Sequence, residues 1–276
     1  MLKRVCLSLL VFGFGVANAP QNRLILVGFP SLLEETDTRF DLLGGSTRPA
    51  WVSDTNSFAD QGVRYQLWGL AGKLKTSGTG SERAAQAAPC QRHYSVNVQP
   101  ALHRKGWLVA SSAPWNLRPR PVVVVPLNNP AHLEAIRMHL ESAGLSLPSV
   151  ELLSATRADL DGDKLDEVIL VAANSIRNSN LFPVPHGDQG TYGLMLVRKL
   201  VGGTVKTFVL GQDIFTQQDD QRLPLFFDLV NVLDLNGDGR LEIVMFQANT
   251  KGYKISALEW TGSGFVPRLT TSCGLP

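Results

Sequence analysis

Along most of the chain, apolar and polar residues alternate or apolar residues form short β-branched runs. Pro and Gly residues are frequent at the ends of these segments, and this arrangement is typical of β-strands joined by turns. The pattern predicts strands at Arg23 to Phe29, Val63 to Leu70, His93 to Val98, Trp107 to Ser111 and Val122 to Val125. The predicted fold class is therefore mainly β, built from antiparallel strands.

One segment departs from the β pattern and predicts a helix. Asn129 can cap a helix, Pro130 suits the first helical position, and the apolar residues that follow recur at helical spacing until Gly144. We expect this helix to span Pro130 to Ala143 and to connect an N-terminal β-rich region, 20–128, with a C-terminal module, 149–276. The connector as a whole covers 129–148.

The C-terminal module contains the same order of features twice. In each copy a strand enters an acidic loop, an apolar strand leaves it and ends at Ala-Asn, and a Tyr then opens a third strand before a Gly-rich turn and a fourth strand. The first copy has Val150 to Arg157, Val168 to Ala172 and Tyr192 to Leu200, and the second has Leu225 to Leu233, Ile243 to Phe246 and Tyr253 to Trp260. The order predicts two four-stranded antiparallel units.

The two acidic loops, 159–167 and 234–242, are the candidate metal sites. So many carboxylates in one tight turn repel each other unless a positive charge lies among them, and alternate side chains of such a turn converge on its interior. The predicted ligands are Asp159, Asp161, Asp163, the Leu165 carbonyl and Glu167 in the first loop, and Asp234, Asn236, Asp238, the Arg240 carbonyl and Glu242 in the second. All are hard oxygen donors, which favours calcium over zinc or copper, while magnesium is disfavoured by its octahedral demand.

An EF-hand and a plain hairpin turn are two other structures that acidic loops of this kind can form. An EF-hand is excluded because its twelfth position needs a bidentate Glu, where this chain has Leu170 and Met245, and because β-branched runs flank both loops. Plain hairpin turns with solvated charges are the alternative that stays open. The loops also differ, since Lys164 stands in the first where Gly239 stands in the second, and a non-Gly residue there costs about 1 kcal/mol if the turn needs a positive φ.

The loops resemble those of the FG-GAP and VCBS repeat families, whose Asp-x-Asp-Gly-Asp-Gly-x-x-Asp/Glu segments link neighbouring strands, as in integrin α-chain propellers. The resemblance covers about Val150 to Leu269 and implies calcium loops within blade-like, propeller-like repeats. The chain also resembles secreted bacterial proteins that have two such repeats and a cysteine near the end, here Cys273. Two repeats do not close a propeller, so the N-terminal region is expected to supply degenerate blades or to form a separate β-domain.

The N-terminus predicts a secretory signal. Lys3 and Arg4 precede an apolar run, and Ala17-Asn18-Ala19 has the small-x-small pattern of a signal peptidase site, so cleavage is expected after Ala19. A retained N-terminal anchor is the alternative. Removal of residues 1–19 would take away two of the 26 basic residues and none of the 24 acidic ones, leaving no net charge. This balance argues against a nucleic acid or an anionic membrane as partner.

After Ala19 the sequence has two cysteines and none of the common local catalytic motifs. After loss of Cys6, a disulfide between Cys90 and Cys273 is expected in an oxidising compartment, and two unpaired thiols are the alternative. We find no nucleophile-elbow, zinc-protease or phosphate-loop motif. The predicted function is a secreted or periplasmic protein with structural calcium that binds a protein or glycan at the cell envelope. A secreted hydrolase with a site assembled from distant residues is the alternative.

One further segment suggests a recognition surface. Between the second and third strands the first repeat has a long loop, Ser175 to Thr191, where the second repeat needs only a short turn. Long loops on rigid β-scaffolds often carry binding residues. We expect this loop, together with an exposed Trp115, to contribute to partner binding, and a tolerated insertion without a binding role is the alternative. Within the loop, His186 and Asp188 are the best local pair for a hydrolase.

Overall fold

A computed structural model describes residues 23–29, 37–54, 61–90, 93–102, 106–175, 186–219 and 221–275. The strands are β1 Arg23–Gly28, β2 Asp37–Ser46, β3 Trp51–Val52, β4 Arg64–Gly69, β5 Gly72–Gly80, β6 Ala84–Ala85, β7 Tyr94–Leu102, β8 Leu108–Ser111, β9 Val122–Val124, β10 Leu152–Ala158, β11 Glu167–Ala173, β12 Tyr192–Val201, β13 Thr204–Ile214, β14 Phe226–Leu233, β15 Glu242–Asn249, β16 Gly252–Trp260 and β17 Phe265–Cys273. The helix α1 spans Pro130–Ser142. The predicted mainly β, antiparallel class is confirmed. The predicted signal segment lies outside the described residues.

The N-terminal region forms a closed barrel. Strands β2, β1, β8, β4, β5 and β7 pair in that order, and β2 also pairs with β7, which joins the two ends. The short strands β3 and β6 extend β2 and β7 outside the ring. Closure removes the unpaired edges that an open sheet would expose. The N-terminal region is therefore a barrel of its own, and the expectation of degenerate blades is wrong.

Each predicted repeat forms a sheet of consecutive antiparallel strands. The first copy contributes β10 to β13, with β9 added at the edge beside β10, and the second contributes β14 to β17. The predicted strand order of both copies is confirmed. The two sheets face each other and do not take part in a ring of blades, so the structure is not a clear propeller.

The layers are held together by four apolar clusters. One fills the barrel and includes Phe40 and Tyr65, and another lies between the barrel and the β14–β17 sheet around Trp107 and Phe246. A third lies between the two repeat sheets around Ile243. Since alternate residues of a strand point to opposite faces, β15 contributes Val244 to one cluster and Ile243 to the next. Strands β14 and β15 are thus buried on both faces, and residues 234–237 of the acidic loop between them are buried too, while 238–240 are exposed.

The helix covers the outer face of the first repeat sheet. The Asn129 side chain accepts a hydrogen bond from the Ala131 N–H at 3.0 Å, and Pro130 occupies the first turn, as predicted. Ile136 and Leu140 are fully buried against β11 and β12. The face opposite α1 packs on the second repeat. Within the described part of the chain, no helix is long and apolar enough to cross a membrane.

The predicted disulfide is present and ties the barrel to the last strand. Cys90 and Cys273 are bonded, with 4.2 Å between their Cα atoms and a sequence separation of 183. Beside the bond, Asp41 lies 3.0 Å from His93 Nε2 and accepts a hydrogen bond from the Tyr253 hydroxyl. Asp41 and His93 are buried. This network therefore joins the barrel to β16 as a structural contact.

Candidate metal centre

The two acidic loops share one hydrogen-bond scaffold. In the first, the Asp159 carboxylate accepts hydrogen bonds from the N–H groups of Gly162 at 2.7 Å and of Lys164 at 3.1 Å. In the second, the Asp234 carboxylate accepts the corresponding bonds from Gly237 at 2.6 Å and Gly239 at 3.1 Å. The first acidic residue of each loop therefore shapes the turn, and both are buried.

Backbone geometry explains the glycines and the predicted cost of Lys164. Gly162 and Gly237 have φ of 84° and 78°, a region that L-residues rarely adopt. The second such position is Gly239 in one loop, with φ of 89°, and Lys164 in the other, with φ of 70°. The predicted strain at Lys164 is confirmed, and a side chain there costs about 1 kcal/mol.

The last acidic residue of each loop lies deepest. Glu167 and Glu242 begin β11 and β15, and their side chains point back under the turn. The Oε2 atom of Glu167 accepts the Leu160 N–H at 2.8 Å, and that of Glu242 accepts the Leu235 N–H at 2.7 Å. Both residues have at most 1 % of their surface exposed. A buried carboxylate needs a positive charge or further donors near its other oxygen.

In the first loop the carboxylates lie close together. Ligand atoms of Asp159, Asp161 and Glu167 all lie within 4.8 Å of one another, so this buried acidic cluster could hold a metal ion. The Asp163 side chain is more exposed and accepts the Leu165 N–H. Three of the five predicted ligands are thus brought together in space, while the Leu165 side chain is exposed on the outer rim.

A lysine from the next strand reaches into this cluster. Lys199 of β12 lies 2.6 Å from Glu167 Oε1, 2.9 Å from Asp161 Oδ2 and 3.3 Å from Asp163 Oδ2, and its side chain is 5 % exposed. Burial by itself lowers the pKa of Lys199, but the hydrogen bonds to Glu167 and Asp161 outweigh it and raise that pKa above its ordinary value. The ammonium is therefore charged at neutral pH.

In the second loop the corresponding oxygen has no partner. Glu242 Oε1 is buried and accepts no hydrogen bond from the described residues. No Lys or Arg nitrogen of the described chain lies within 4.0 Å of the Asp234, Asp238 or Glu242 carboxylates. Burial, followed by the nearby charges of Asp238 and Asp234, raises the pKa of Glu242 well above its usual value, although the Leu235 N–H opposes this.

The remaining predicted ligands of the second loop surround this carboxylate unevenly. Asn236 is buried and its Oδ1 accepts the Asp238 N–H at 3.0 Å. Asp238 is exposed and accepts the Arg240 N–H at 2.8 Å, while Arg240 lies on the rim. Asn236 occupies the position of Asp161 of the first loop, so the second loop has an amide where the first has a carboxylate.

Sheet register explains why one loop has a lysine and the other does not. Val168 of β11 pairs with Arg198, which places Lys199 beside Glu167. Ile243 of β15 pairs with Leu258, which places Glu259 beside Glu242. Glu259 Oε2 accepts hydrogen bonds from Trp51 Nε1 at 3.1 Å and from Arg268 Nε at 2.6 Å. The position that carries an ammonium in the first repeat therefore carries a carboxylate in the second.

Two arginines and a tryptophan hold the loops in place. The sequence did not predict this role for them. Arg120 donates to the carbonyls of Asp159 at 2.6 Å, Gly239 at 2.6 Å and Leu160 at 3.1 Å, so it bridges both loops. Trp115 Nε1 donates to the Asp234 carbonyl at 2.9 Å. Arg48 Nε donates to the Gly237 carbonyl at 2.9 Å. Local sequence gives no signal for these contacts, because all three residues come from distant segments.

The predicted recognition surface is only partly described. Residues 176–185 of the long loop lie outside the described residues, while His186 and Asp188 are both exposed. Trp115 is partly buried against the second acidic loop, so the expectation that it is an exposed binding residue is wrong. Its indole is committed to supporting the Asp234 backbone.

Comparisons with known proteins add no family to this picture. No family model, no curated protein and no solved structure matches the chain. The FG-GAP-like and VCBS-like character of the loops stays a prediction from their residues.

Proposed function

We propose that this is a calcium-binding β-protein of an extracytoplasmic compartment in which the ion is structural. The observation that carries the proposal is the buried, unpartnered Oε1 of Glu242 inside an acidic turn. A buried carboxylate oxygen of this kind is costly unless a cation or donor meets it. The same loop supplies further oxygen donors, from Asp234, Asn236 and Asp238. Such a set suits calcium.

The position of the loop argues for a structural role. It joins β14 to β15, two strands that are mostly buried on both faces. Ser46 of the barrel donates its hydroxyl to the Leu235 carbonyl at 3.0 Å, and Arg120 links the loop to the first repeat. An ion bound here stabilises a junction between barrel and sheets. No group with an obvious catalytic arrangement adjoins the turn in the described residues.

A thermal melt with and without calcium tests the proposal. Extracellular calcium modules bind with dissociation constants of about 0.1–1 mM, and free ion at about ten times that constant stabilises a fold by about 1.4 kcal/mol. We expect EDTA to lower the melting temperature and calcium, but not an equal concentration of magnesium, to restore it. An identical melt in EDTA and in excess calcium would contradict the proposal.

We further propose that the protein binds a protein or glycan partner at the cell envelope. The disulfide is compatible with an oxidising compartment, and the balanced charge predicted for the chain without residues 1–19 argues against nucleic acid as the partner. A pull-down from envelope extract with the chain as bait, in calcium and in EDTA, tests this. Deletion of 178–190 should reduce capture if the long loop contributes. Equal capture by the deletion variant would remove the loop from the proposal.

A further inference from the structure

The Lys199 ammonium lies where a cation ligated by the first loop would lie. Its three carboxylate neighbours, Glu167, Asp161 and Asp163, are three of the residues that would ligate an ion there. The Lys199 side chain is 5 % exposed, so its ammonium is buried against these carboxylates and does not extend into solvent. A divalent ion placed among the same oxygens would lie beside a buried positive charge, which is strongly unfavourable.

The two loops can be compared at their buried glutamates, because a cationic side chain contacts the first glutamate and no described cation contacts the second. In both turns the first aspartate and the last glutamate accept matched hydrogen bonds from backbone N–H groups. They differ at the glutamate, because Glu167 Oε1 meets Lys199 while Glu242 Oε1 meets no described donor. In the first loop the buried oxygen without a hydrogen-bond partner is Asp161 Oδ1, but the other oxygen of that carboxylate lies 2.9 Å from Lys199. The equivalent of Lys199 is Glu259, whose carboxylate is directed to Trp51 and Arg268.

We propose that Lys199 is a built-in cation that closes the first loop to metal, so that the chain binds a single calcium ion, at the second loop. The part concerning the second loop rests on the proposed function. The part concerning the first loop rests on the Lys199 contacts alone. The duplicated loops have thus diverged, one stabilised by a covalently attached ammonium and the other by a free ion.

Calorimetric titration of calcium into the whole protein tests the stoichiometry. We expect one ion per chain for the wild type and two for Lys199→Met, since removal of the ammonium frees three carboxylates. Lys206→Met is the matched control, because Lys206 pairs with Lys199 across β12 and β13 but is exposed, and it should keep one ion. Two ions bound by the wild type would overturn the proposal while leaving calcium binding intact.

Variants with the native lysine keep the test decisive if Lys199→Met does not fold. Asp161→Asn should keep the single ion, because the first loop holds none, and Glu242→Gln should lose it. Loss of the ion in Asp161→Asn with retention in Glu242→Gln would overturn the proposal. If the wild type binds no ion, the proposed function fails, and Lys199→Met then decides the first loop alone: one ion supports the built-in cation and none refutes it.

The mirror substitution Glu259→Lys adds an independent readout. A lysine at this position would lie beside Glu242, as Lys199 lies beside Glu167. We expect loss of calcium binding and a melting temperature that no longer responds to EDTA. Arg268, which now donates to Glu259, is exposed enough to be hydrated when that partner is lost. Calcium binding that survives unchanged in a folded Glu259→Lys protein would contradict the inferred equivalence of the two positions.

Discussion

Glu242→Gln should have opposite effects on stability with and without calcium. In the ion-free protein the wild-type carboxylate is buried and one of its oxygens lacks a partner. The glutamine retains an oxygen for the Leu235 N–H and removes the buried charge, and its amide faces the negative charges of Asp234 and Asp238. Leaving a buried polar group unsatisfied costs about 1–3 kcal/mol, so the ion-free variant should be more stable than the ion-free wild type by about that amount.

Calcium should reverse this order. Free ion at about a hundred times the dissociation constant stabilises the wild type by about 2.7 kcal/mol and leaves the variant unchanged, which exceeds all but the top of the range of about 1–3 kcal/mol expected for the ion-free difference. The free energy of unfolding of each protein is measured by urea titration, in EDTA and in excess calcium. The matched control is Glu167→Gln, which weakens the 2.6 Å contact to Lys199. That variant should lose about 2 kcal/mol in both conditions.

Two results would refute the reasoning about Glu242. One is a stability difference between Glu242→Gln and the wild type that is the same with and without calcium. The other is an ion-free variant that is less stable than the ion-free wild type, because the unpartnered Oε1 would then not be a cost in the native state.

The disulfide, a half-buried acid and the arginine bridge can each be tested by substitution. Replacing Cys90 and Cys273 with Ser removes a cross-link across 183 residues and should lower the free energy of unfolding by about 5 kcal/mol, and dithiothreitol should have no effect on the variant. Burial raises the pKa of Asp228 despite hydrogen bonds from Trp107 and Leu229, so its contribution to stability is full below the unfolded pKa of about 3.9 and is lost as pH rises through the native pKa. The stability of Asp228→Asn relative to wild type should therefore improve between about pH 4 and about pH 7, and a pH-independent difference would contradict this assignment. Arg120→Ala removes three hydrogen bonds that join the loops and should lower the free energy of unfolding by about 2–4 kcal/mol. Arg120→Lys should retain part of that stability. Equal losses of stability in the two variants would contradict a role for the charge and length of the Arg120 side chain.

Local pattern predicted most of the fold because most strands have a buried apolar face. The helix and the repeated strands follow from alternation, capping and turn residues, and their observed bounds differ from the predicted ones by few residues. Strand β5, Gly72–Gly80, was not predicted, since it is rich in Gly, Ser, Thr and Lys and half of it is exposed. Closure of the barrel was equally hidden, because it depends on the pairing of β2 with β7.

The acidic loops were also predictable, since their ligands lie within nine residues of each other in sequence. The sequence does not predict which positively charged side chain, if any, contacts each loop. Lys199 lies 32 residues after Glu167 and reaches it only through the register of β11 and β12. Arg120 comes from a segment 39 residues before Asp159. Residue pattern therefore identifies a candidate cation site, but tertiary register decides which cation fills it.

A crystal structure of the protein grown in calcium tests the central claim most directly. We predict anomalous density in the second loop, about 2.3–2.6 Å from Glu242 Oε1 and from oxygens of Asp234, Asn236 and Asp238. The first loop should show the Lys199 ammonium among its carboxylates and no ion. A second loop that holds only water, or an ion in the first loop with Lys199 displaced, would contradict the account.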